Sequence, residues 1–223
     1  MLRTEVSRSG GGVALGMAVL TRRGFIFGGL AVAGQAQKML VEDVDFSQWR
    51  SAGAGLWAAE GSELVGRFVK SRPGLGYLFT SEEFTDFRMT MLFRISSGGL
   101  GGIYLREPRR KWSLQGEDRP GFGPTGGYEV LVNYQDPDNP TGTITNTQKS
   151  KKSVGAEEKW NDMEIVCKGA EIRISVAGQL VNRFNQLRIQ PGIIGFGLGF
   201  GVPGAGSQDF NVRFRDIKIT SAK

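Results

Sequence analysis

The sequence contains no histidine, a single cysteine and few prolines, and these absences exclude several classes of protein. Without histidine, the chain cannot use Ser-His-Asp or Cys-His catalysis, a histidine general base or histidine-ligated zinc. The single Cys167 excludes an intramolecular disulfide framework and a cysteine-cluster metal site. With only 8 prolines and no Gly-X-Y period, the chain is not collagen-like. Any acid–base catalysis must therefore use a carboxylate or, less favourably, a lysine or tyrosine.

The sequence is rich in glycine and in short segments that alternate apolar and polar residues. The 34 glycines among 223 residues are about twice the average usage, and helical periodicity is nearly absent. Phe87–Ile95 alternates apolar and polar residues with a period of two, as a half-buried strand does. Glu171–Ala177 alternates in the same way, Ala177–Gly178 predicts a tight hairpin, and a change of phase near Asp216 predicts a bulge. The sequence therefore predicts an all-β, two-sheet jelly-roll sandwich.

One predicted strand, Ile193–Gly201, has an unusual pattern. Phenylalanine and leucine alternate there with Gly195, Gly197, Gly199 and Gly201, so one face is bulky and the other is bare backbone. Glycine inside a strand costs stability, which indicates that something approaches the bare face closely. Two interpretations remain open, namely packing by another strand or side chain, or a sugar ring lying over the glycines.

Residues 1–36 have the pattern of an export signal. Arg22–Arg23 precede an apolar run of about 10 residues, which is short of the roughly 20 needed to span a bilayer. A small-x-small sequence then predicts cleavage after Ala36. We therefore expect a twin-arginine signal at 1–36, with Met17 as a possible alternative start, and a single mature domain at 37–223. That domain is expected to be periplasmic or secreted, with no permanent membrane span.

The charge of the chain does not predict a nucleic-acid partner. Residues 1–36 carry four arginines and one glutamate, so their removal halves the formal net charge of +6. No continuous basic stripe with interleaved aromatic residues is present in the remainder. The short basic cluster Lys149–Lys152 is interpreted as a solvated loop.

Two predicted strands carry the polar side chains that chemistry could use. Ile103–Arg106 turns Tyr104 and Arg106 outward, and Tyr128–Asn133 turns Glu129 and Asn133 outward. If the two strands lie in one sheet, these four side chains share its outer face, which can bind ligands in jelly rolls. The alternative is a cross-strand ion pair between Arg106 and Glu129 on a solvated face, worth under about 1 kcal/mol.

Further candidates lie in loops. Trp112, in the long Glu107–Gly126 loop, could stack on a sugar or pin the loop to the body, and Tyr134 is a second stacking candidate. Asp136–Asn139 offers oxygen ligands of the kind calcium takes, but its spacing matches no cation loop and its prolines indicate a turn. No metal or cofactor is therefore predicted.

Seven stretches, in this order and spacing, resemble the 3-keto-disaccharide hydrolase-like family. They are Trp57–Gly66, Tyr77–Ile95, Gly102–Arg106, Gly127–Val130, Thr141–Gly142, Trp160–Gly169 and Phe214–Ile219. The resemblance implies a concanavalin A-like lectin/glucanase jelly roll and an exported carbohydrate-active protein. It also implies hydrolysis of 3-keto-glycosides as the activity, and a glycan or an oxidised glycoside as the binding partner.

The chain departs from the family pattern at positions near the candidate residues. Leu100–Gly101 stand where the family usually has Asn-Ser before its Gly-Ile-Tyr/Phe-Leu-Arg motif. Leu131 and Asn133 stand where the family usually has Gln and Asp. These polar groups are missing from the predicted outer face.

The implied chemistry assigns roles to the outer-face residues. Oxidation of a sugar at C3 acidifies the hydrogen on C2, so the substituent at C1 can leave by elimination and water can add back. This requires a base at C2–H, a cation or donor at the C3 oxygen and an acid for the leaving oxygen. We expect Glu129 as base or acid, with Arg106 polarising the ketone or orienting Glu129.

Other functions remain open on the same fold. A non-catalytic, lectin-like carbohydrate-binding module is the main alternative, and Leu131 and Gly101 favour it. A structural or partner-binding domain in an exported assembly is the third possibility, because jelly rolls host all three.

Overall fold

The computed structural model describes residues 38–39, 49–71, 74–109, 126–185, 190–199 and 208–222. Within these residues the regular structure consists of β-strands, which confirms the predicted all-β class. The strands are β1 (Lys38–Met39), β2 (Trp49–Gly53), β3 (Leu56–Glu60), β4 (Glu63–Phe68), β5 (Gly76–Phe84), β6 (Phe87–Ile95), β7 (Leu100–Glu107), β8 (Tyr128–Asn133), β9 (Asn161–Lys168), β10 (Glu171–Val176), β11 (Gln179–Asn185), β12 (Gly192–Leu198) and β13 (Phe210–Ser221). The described part of the chain has no helix that could cross a membrane.

The strands form two antiparallel sheets. The larger sheet has the order β11-β10-β9-β6-β13-β4-β3, with β1 paired to β13. The smaller sheet has the order β2-β5-β12-β7-β8. Most neighbours in both sheets are far apart in sequence, as in a jelly-roll sandwich.

The core lies between the sheets. On β6 the predicted alternation is confirmed, since the five residues of the predicted inner face from Phe87 to Ile95 are buried and the residues between them, Leu92 included, are more exposed. Phe196 and Leu198 of β12 enter the same core from the smaller sheet, and Phe196 packs on Phe214 at 4.7 Å between ring centroids. Burial of each such side chain contributes about 1.5–3 kcal/mol, so this core is the main source of stability.

The predicted hairpin and the predicted bulge are both present. Ala177 and Gly178 have φ of 47° and 69°, and this pair of positive angles is that of a type I′ turn between β10 and β11. On β13 the pairing with β6 shifts register between Arg215 and Lys218, and Asp216 has φ of 52°. The shift in apolar and polar alternation near Asp216 therefore correctly predicted a bulge.

A second bulge, in β7, was not predicted. Tyr104 and Glu107 pair with Gly195 and Ile193 of β12, so two β7 residues stand opposite one β12 residue. Arg106 lies in the bulge with φ of 52°. The extra residue rotates the end of the strand. Because of the extra residue, Glu107 takes the next outer-face position after Tyr104, which simple alternation would give to Arg106.

Aromatic side chains cover much of the outer face of the smaller sheet. Tyr77, Phe79 and Tyr104 form a buried cluster with Ala52 and Ile193, separate from the main core. The rings of Tyr77 and Tyr104 meet edge to face at 5.6 Å between centroids. This cluster fills one flank of the outer face beside the polar residues of β7 and β8.

Candidate functional site

A pocket of about 300 Å³ opens on the outer face of the smaller sheet. This volume lies at the lower end of the range for small-molecule sites. Its lining combines aromatic and aliphatic groups with carboxylates, amides and a hydroxyl, namely Leu75, Tyr77, Leu100, Gly101, Tyr104, Glu129, Leu131, Asp136, Asn139, Thr145, Asn146 and Gly199. Two of the predicted site residues, Tyr104 and Glu129, are among them.

Glu129 and Tyr104 form a hydrogen-bonded pair in the wall of this pocket. They face each other in register across β8 and β7, as predicted from their positions on the two strands. The Tyr104 hydroxyl donates to Oε1 of Glu129 at 2.6 Å. This length is typical of a bond from a hydroxyl to an ionised carboxylate. The bond fixes one carboxylate oxygen and orients the half-buried side chain.

Two glycines provide the flat floor on which the pair lies. A Cβ added to Gly102 would meet Oε1 of Glu129 at 2.5 Å, and one added to Gly197 would meet the Tyr104 ring at 2.6 Å. Gly102 and Gly197 are themselves paired across β7 and β12. At Gly195 an added Cβ would collide with the ring of Phe79. The glycines of β12 are thus packed by side chains, which was the first of the two interpretations of this strand.

The tyrosine hydroxyls at the site stay protonated. Burial, followed by the negative charge of Glu129, raises the pKa of Tyr104 well above its ordinary value of 10.0. The same two causes raise the pKa of Tyr77. Tyr104 therefore acts as a hydrogen-bond donor to a carboxylate and is unsuited to act as a base near neutral pH.

The polar side of the pocket comes from the segment that follows β8. Thr145 lies next to Glu129, because the Thr145 amide donates to the Glu129 carbonyl oxygen at 2.9 Å. The Thr145 hydroxyl is buried and has no hydrogen-bond partner within the described part of the chain. Asn146 follows with φ of 54° and is exposed at the pocket rim. These groups could donate to oxygen atoms of a ligand.

Asp136 is a carboxylate of this polar side that its own turn already engages. Its Oδ1 accepts from the Asp138 amide at 2.8 Å and its Oδ2 from the Asn139 side chain at 2.6 Å. The Asn139 hydrogen bond, followed by that from the Asp138 backbone, lowers the pKa of Asp136. The interpretation of Asp136–Asn139 as a turn is confirmed. Within the described residues no group of three metal-ligating side chains is found.

Arg106 is not at the pocket, and the prediction that it shares the outer face with Glu129 is wrong. Its side chain is 1% exposed and reaches toward the larger sheet. It donates to the carbonyl oxygens of Thr85 and Gly169 at 2.7 and 3.0 Å and pairs with Asp86 at 2.9 Å. The β7 bulge causes this, because it turns Arg106 away from the face that simple alternation would give it.

Glu107 is the residue that the bulge brings to the outer face instead. It is fully buried, and its Oε2 accepts from the amides of Gly126 and Gly127 at 3.3 and 2.8 Å. Its charge contributes to the raised pKa of both Tyr77 and Tyr104. It was missed from the sequence because the predicted strand ended at Arg106, with Glu107 placed in the following loop, and no local signal marks the bulge.

Asn133 and Tyr134 lie outside the pocket and support it. Asn133 is buried, donates to the Asn139 carbonyl oxygen and accepts from the Gln135 amide, so it braces the turn that carries Asp136. Tyr134 stacks on Phe93 at 6.5 Å and donates to the Val154 carbonyl oxygen, away from any sugar-stacking position at the pocket. Trp112 lies outside the described residues.

Three of the four residues where the chain departs from its family pattern line the pocket, and Asn133 is the exception. Leu100, Gly101 and Leu131 are all part of its wall. Leu100 is buried and Leu131 is half-buried beside Glu129 on β8. The pocket is therefore more apolar around its carboxylate than the family pattern would make it.

Comparison with known proteins identifies the class of the chain. A family model described as the 3-keto-alpha-glucoside-1,2-lyase-like domain matches residues 36–220, and the chain belongs to this family. This confirms the resemblance drawn from the sequence motifs. The function of the chain is accordingly carbohydrate-related. Curated proteins yielded no match.

Solved structures confirm the fold. A candidate glycosyl hydrolase from Parabacteroides distasonis has a TM-score of 0.61 at 15% identity, with 84% of this chain and 94% of that chain covered. A Bacillus subtilis protein of unknown function with a galectin-like fold gives 0.59 at 14% identity, covering 83% and 94%. The carbohydrate-binding module CBM66 from Bacillus subtilis gives 0.55 at 16%, covering 78% and 96%. At these identities the likeness shows the fold alone, a concanavalin A-like jelly roll.

Proposed function

We propose that the pocket binds a 3-keto-glycoside and cleaves the bond between C1 and its substituent, with Glu129 as the base. The observation that carries this proposal is the Glu129 carboxylate, held by the Tyr104 hydroxyl at 2.6 Å in the wall of a ligand-sized pocket. Family membership supports the substrate class.

The reaction is an elimination followed by hydration. Glu129 takes the proton from C2, which the C3 ketone has made acidic, and the electron pair moves to the ketone oxygen as an enolate. The enolate then expels the C1 substituent and forms a C1–C2 double bond, and the leaving oxygen takes up the proton that Glu129 removed from C2. Water adds across the double bond and gives the free 3-keto sugar.

The pocket has one carboxylate, Asp136, that is bound by its own turn, and one, Glu129, that is available to a substrate, and this arrangement suits an elimination. Ordinary glycosidases need two carboxyl groups flanking the bond, one of them free to protonate the leaving oxygen. Here Asp136 is bound on both oxygens by its turn, whereas Glu129 has Oε1 oriented by a donor that stays protonated. In an elimination the ketone supplies the activation, and one carboxylate can act first as the base at C2 and then, once protonated, as the acid for the leaving oxygen.

The donor for the ketone oxygen is proposed to be the Thr145 hydroxyl. Arg106 was expected in this role, but its guanidinium is engaged at the larger sheet. Thr145 lines the pocket next to Glu129, and its hydroxyl is buried with no hydrogen-bond partner in the described part of the chain. A buried hydroxyl with nothing to bond is costly, and a ligand oxygen would satisfy it.

The test is release of the leaving group from a synthetic 3-keto-glucoside. We expect residues 37–223 to release it from the ketone and not from the unoxidised glucoside. Glu129→Gln keeps the shape of the side chain and should lower the rate by more than 100-fold. Glu164→Gln, on the outer surface of the larger sheet, is the matched control and should not change it. Ketone-dependent release that survives Glu129→Gln would overturn the assignment of the base.

Carbohydrate binding without catalysis is the second candidate function. Leucine and glycine line the pocket where the family pattern has polar groups, and this favours a binding role. In that case the folded protein would bind a glycan, and Glu129→Gln would change affinity, but no 3-keto-glycoside would be turned over.

We also propose that the protein works after export, in the periplasm or outside the cell. The twin-arginine pattern in residues 1–36 supports this location. A reporter fused behind residues 1–36 should be exported while Arg22–Arg23 are intact and retained when both are replaced by lysine. Export of the double-lysine fusion would contradict a twin-arginine route.

A further inference from the structure

The pocket has two chemically different ends, with Glu129 between them. The polar end adjoins Glu129 through the backbone hydrogen bond from Thr145, on the outer edge of β8. The apolar end lies in the opposite direction, where Leu75, Leu100 and Gly199 line the wall. A glycoside also has two different ends, a hydroxyl-rich sugar and a leaving group whose chemistry varies.

The apolar end is a slot of defined shape. Among the described residues, a Cβ added to Gly199 would find only Cδ2 of Leu75 at 3.7 Å and Cδ2 of Leu100 at 3.9 Å within contact range. Two leucines therefore flank a bare glycine backbone. This differs from Gly195 and Gly197 on the same strand, whose bare faces are filled by the rings of Phe79 and Tyr104. A flat apolar group fits against a bare backbone between two aliphatic side chains.

The slot is at the right distance from the carboxylate to take a leaving group. Glu129 lies over Gly102, and Leu100 is two residues away on the same face of β7. Two residues of a strand span about 7 Å, which leaves room for a C2 hydrogen in contact with the carboxylate and for the ring of a C1 substituent beyond it. Gly199 is joined to this position by the hydrogen bond from its amide to the Leu100 carbonyl oxygen at 3.2 Å.

We propose that the preferred substrates carry a flat apolar leaving group, such as a phenol, seated between Leu75 and Leu100 over Gly199. A second sugar would place its hydroxyls against these leucines. The hydroxyls would then have no hydrogen-bond partners, and the affinity for a disaccharide would be lower. The proposal rests on the cleavage proposed at Glu129, and it defines the substrate class as aryl glycosides rather than disaccharides.

Cleavage rates test the specificity of the slot. We expect kcat/KM for a phenyl 3-keto-glucoside to exceed that for the methyl 3-keto-glucoside and for a 3-keto-disaccharide by at least tenfold. Leu75→Ala, which changes a half-buried residue, should remove most of this preference by lowering kcat/KM for the phenyl compound far more than for the methyl compound. Leu100→Ala should act in the same way. The control Leu180→Ala changes an exposed leucine on the larger sheet and should have no effect.

Binding of unoxidised glucosides separates this proposal from the catalytic one, because it needs no turnover. Phenyl glucoside should bind the wild-type protein at least tenfold more tightly than methyl glucoside, and Leu75→Ala should abolish the difference. Equal binding of the two, or a preference that survives both leucine variants in folded protein, would overturn the aryl assignment. If the preference for phenyl glucoside depends on Leu75 but no 3-keto compound is turned over, the apolar slot is supported and the proposed cleavage is contradicted.

Discussion

At the scale of single residues, the Glu129–Tyr104 pair is the feature on which the functional proposal depends. A carboxylate on an open sheet would rotate freely, whereas this one accepts a hydrogen bond from a buried hydroxyl at 2.6 Å. Burial and the Glu129 charge both raise the pKa of Tyr104, so the donor does not ionise over the pH range in which proteins normally function. The arrangement is preorganised, and preorganisation reduces the cost of reaching the transition state.

Tyr104→Phe tests this orientation directly. Removing the hydroxyl leaves Oε1 of Glu129 without its donor, so we expect the rate of 3-keto-glucoside cleavage to fall about tenfold or more. Tyr134→Phe is the matched control, because its hydroxyl bonds to the Val154 carbonyl oxygen away from the pocket. It should lower the free energy of unfolding by about 1 kcal/mol and leave the rate unchanged. Equal rates for Tyr104→Phe and the wild type would show that the pair has no catalytic role.

Arg106 has a structural role, which is to connect β7 to two turns, and the sequence pattern did not predict this role. It joins β7 to the turn at Thr85–Asp86, which links β5 to β6 of the larger sheet, and to the turn at Gly169 between β9 and β10 of the larger sheet. A buried arginine with all these bonds is a clamp between the two layers.

We expect Arg106→Met to lower the free energy of unfolding by about 3 kcal/mol, because Asp86 and two carbonyl oxygens lose their donor. The cleavage rate per folded molecule at low temperature should not change. Urea unfolding and steady-state kinetics on the same sample check both statements. A stable variant without activity would instead support Arg106 as the cation at the ketone.

At the scale of strands, the glycines of β7 and β12 are spaced to accept particular side chains. Gly102 lies under Glu129 and Gly197 under Tyr104. A methyl group at either position would push the catalytic pair off the sheet. On the bare face that the sequence showed, side chains cover Gly195 and Gly197, whereas among the described residues only Leu75 and Leu100 approach Gly199.

Gly102→Ala and Gly197→Ala should each lower the cleavage rate strongly and cost about 1–3 kcal/mol in stability. Gly101→Ala is the control on the same strand, since its Cβ would meet its nearest atoms at 3.4 Å or more. Circular dichroism melting and the cleavage assay measure the two effects. Full activity in Gly102→Ala would contradict the position of Glu129 described above.

Strand alternation predicted much of the fold and part of the site. The period-2 segments placed β6 and β10, and the phase change at Asp216 placed the β13 bulge. Alternation also placed Tyr104 and Glu129 together. It failed at Arg106, because the bulge in β7 depends on pairing with β12, which is distant in sequence. The pocket residues after β8 could not be predicted, because they are positioned by tertiary contacts of a loop.

At the scale of the whole molecule, several buried tyrosine and cysteine side chains make the stability of the fold depend on pH in the alkaline range. Burial raises the pKa of Tyr134 to about 12 and that of Cys167 to about 12, and it also raises that of Tyr104. In the unfolded chain these groups ionise near their ordinary values of 9.0 for cysteine and 10.0 for tyrosine. Above those values the unfolded state loses protons first and is favoured.

On account of these groups the free energy of unfolding should not change between about pH 7 and 9 and should fall between about pH 9 and 12. Urea unfolding at a series of pH values measures this dependence. Tyr134→Phe should make the decline shallower, because one of the linked groups is gone. A stability that rises above pH 10 would contradict the burial of these groups.

The central claim is that Glu129 removes the proton from C2 of a 3-keto-glycoside. The most direct measurement is NMR of the sugar product formed in D₂O at early times, corrected for exchange without protein. We predict deuterium at C2 of the product from wild-type protein, and neither product nor C2 exchange above the blank with Glu129→Gln. Product that keeps hydrogen at C2 would show direct displacement at C1 and would contradict the elimination.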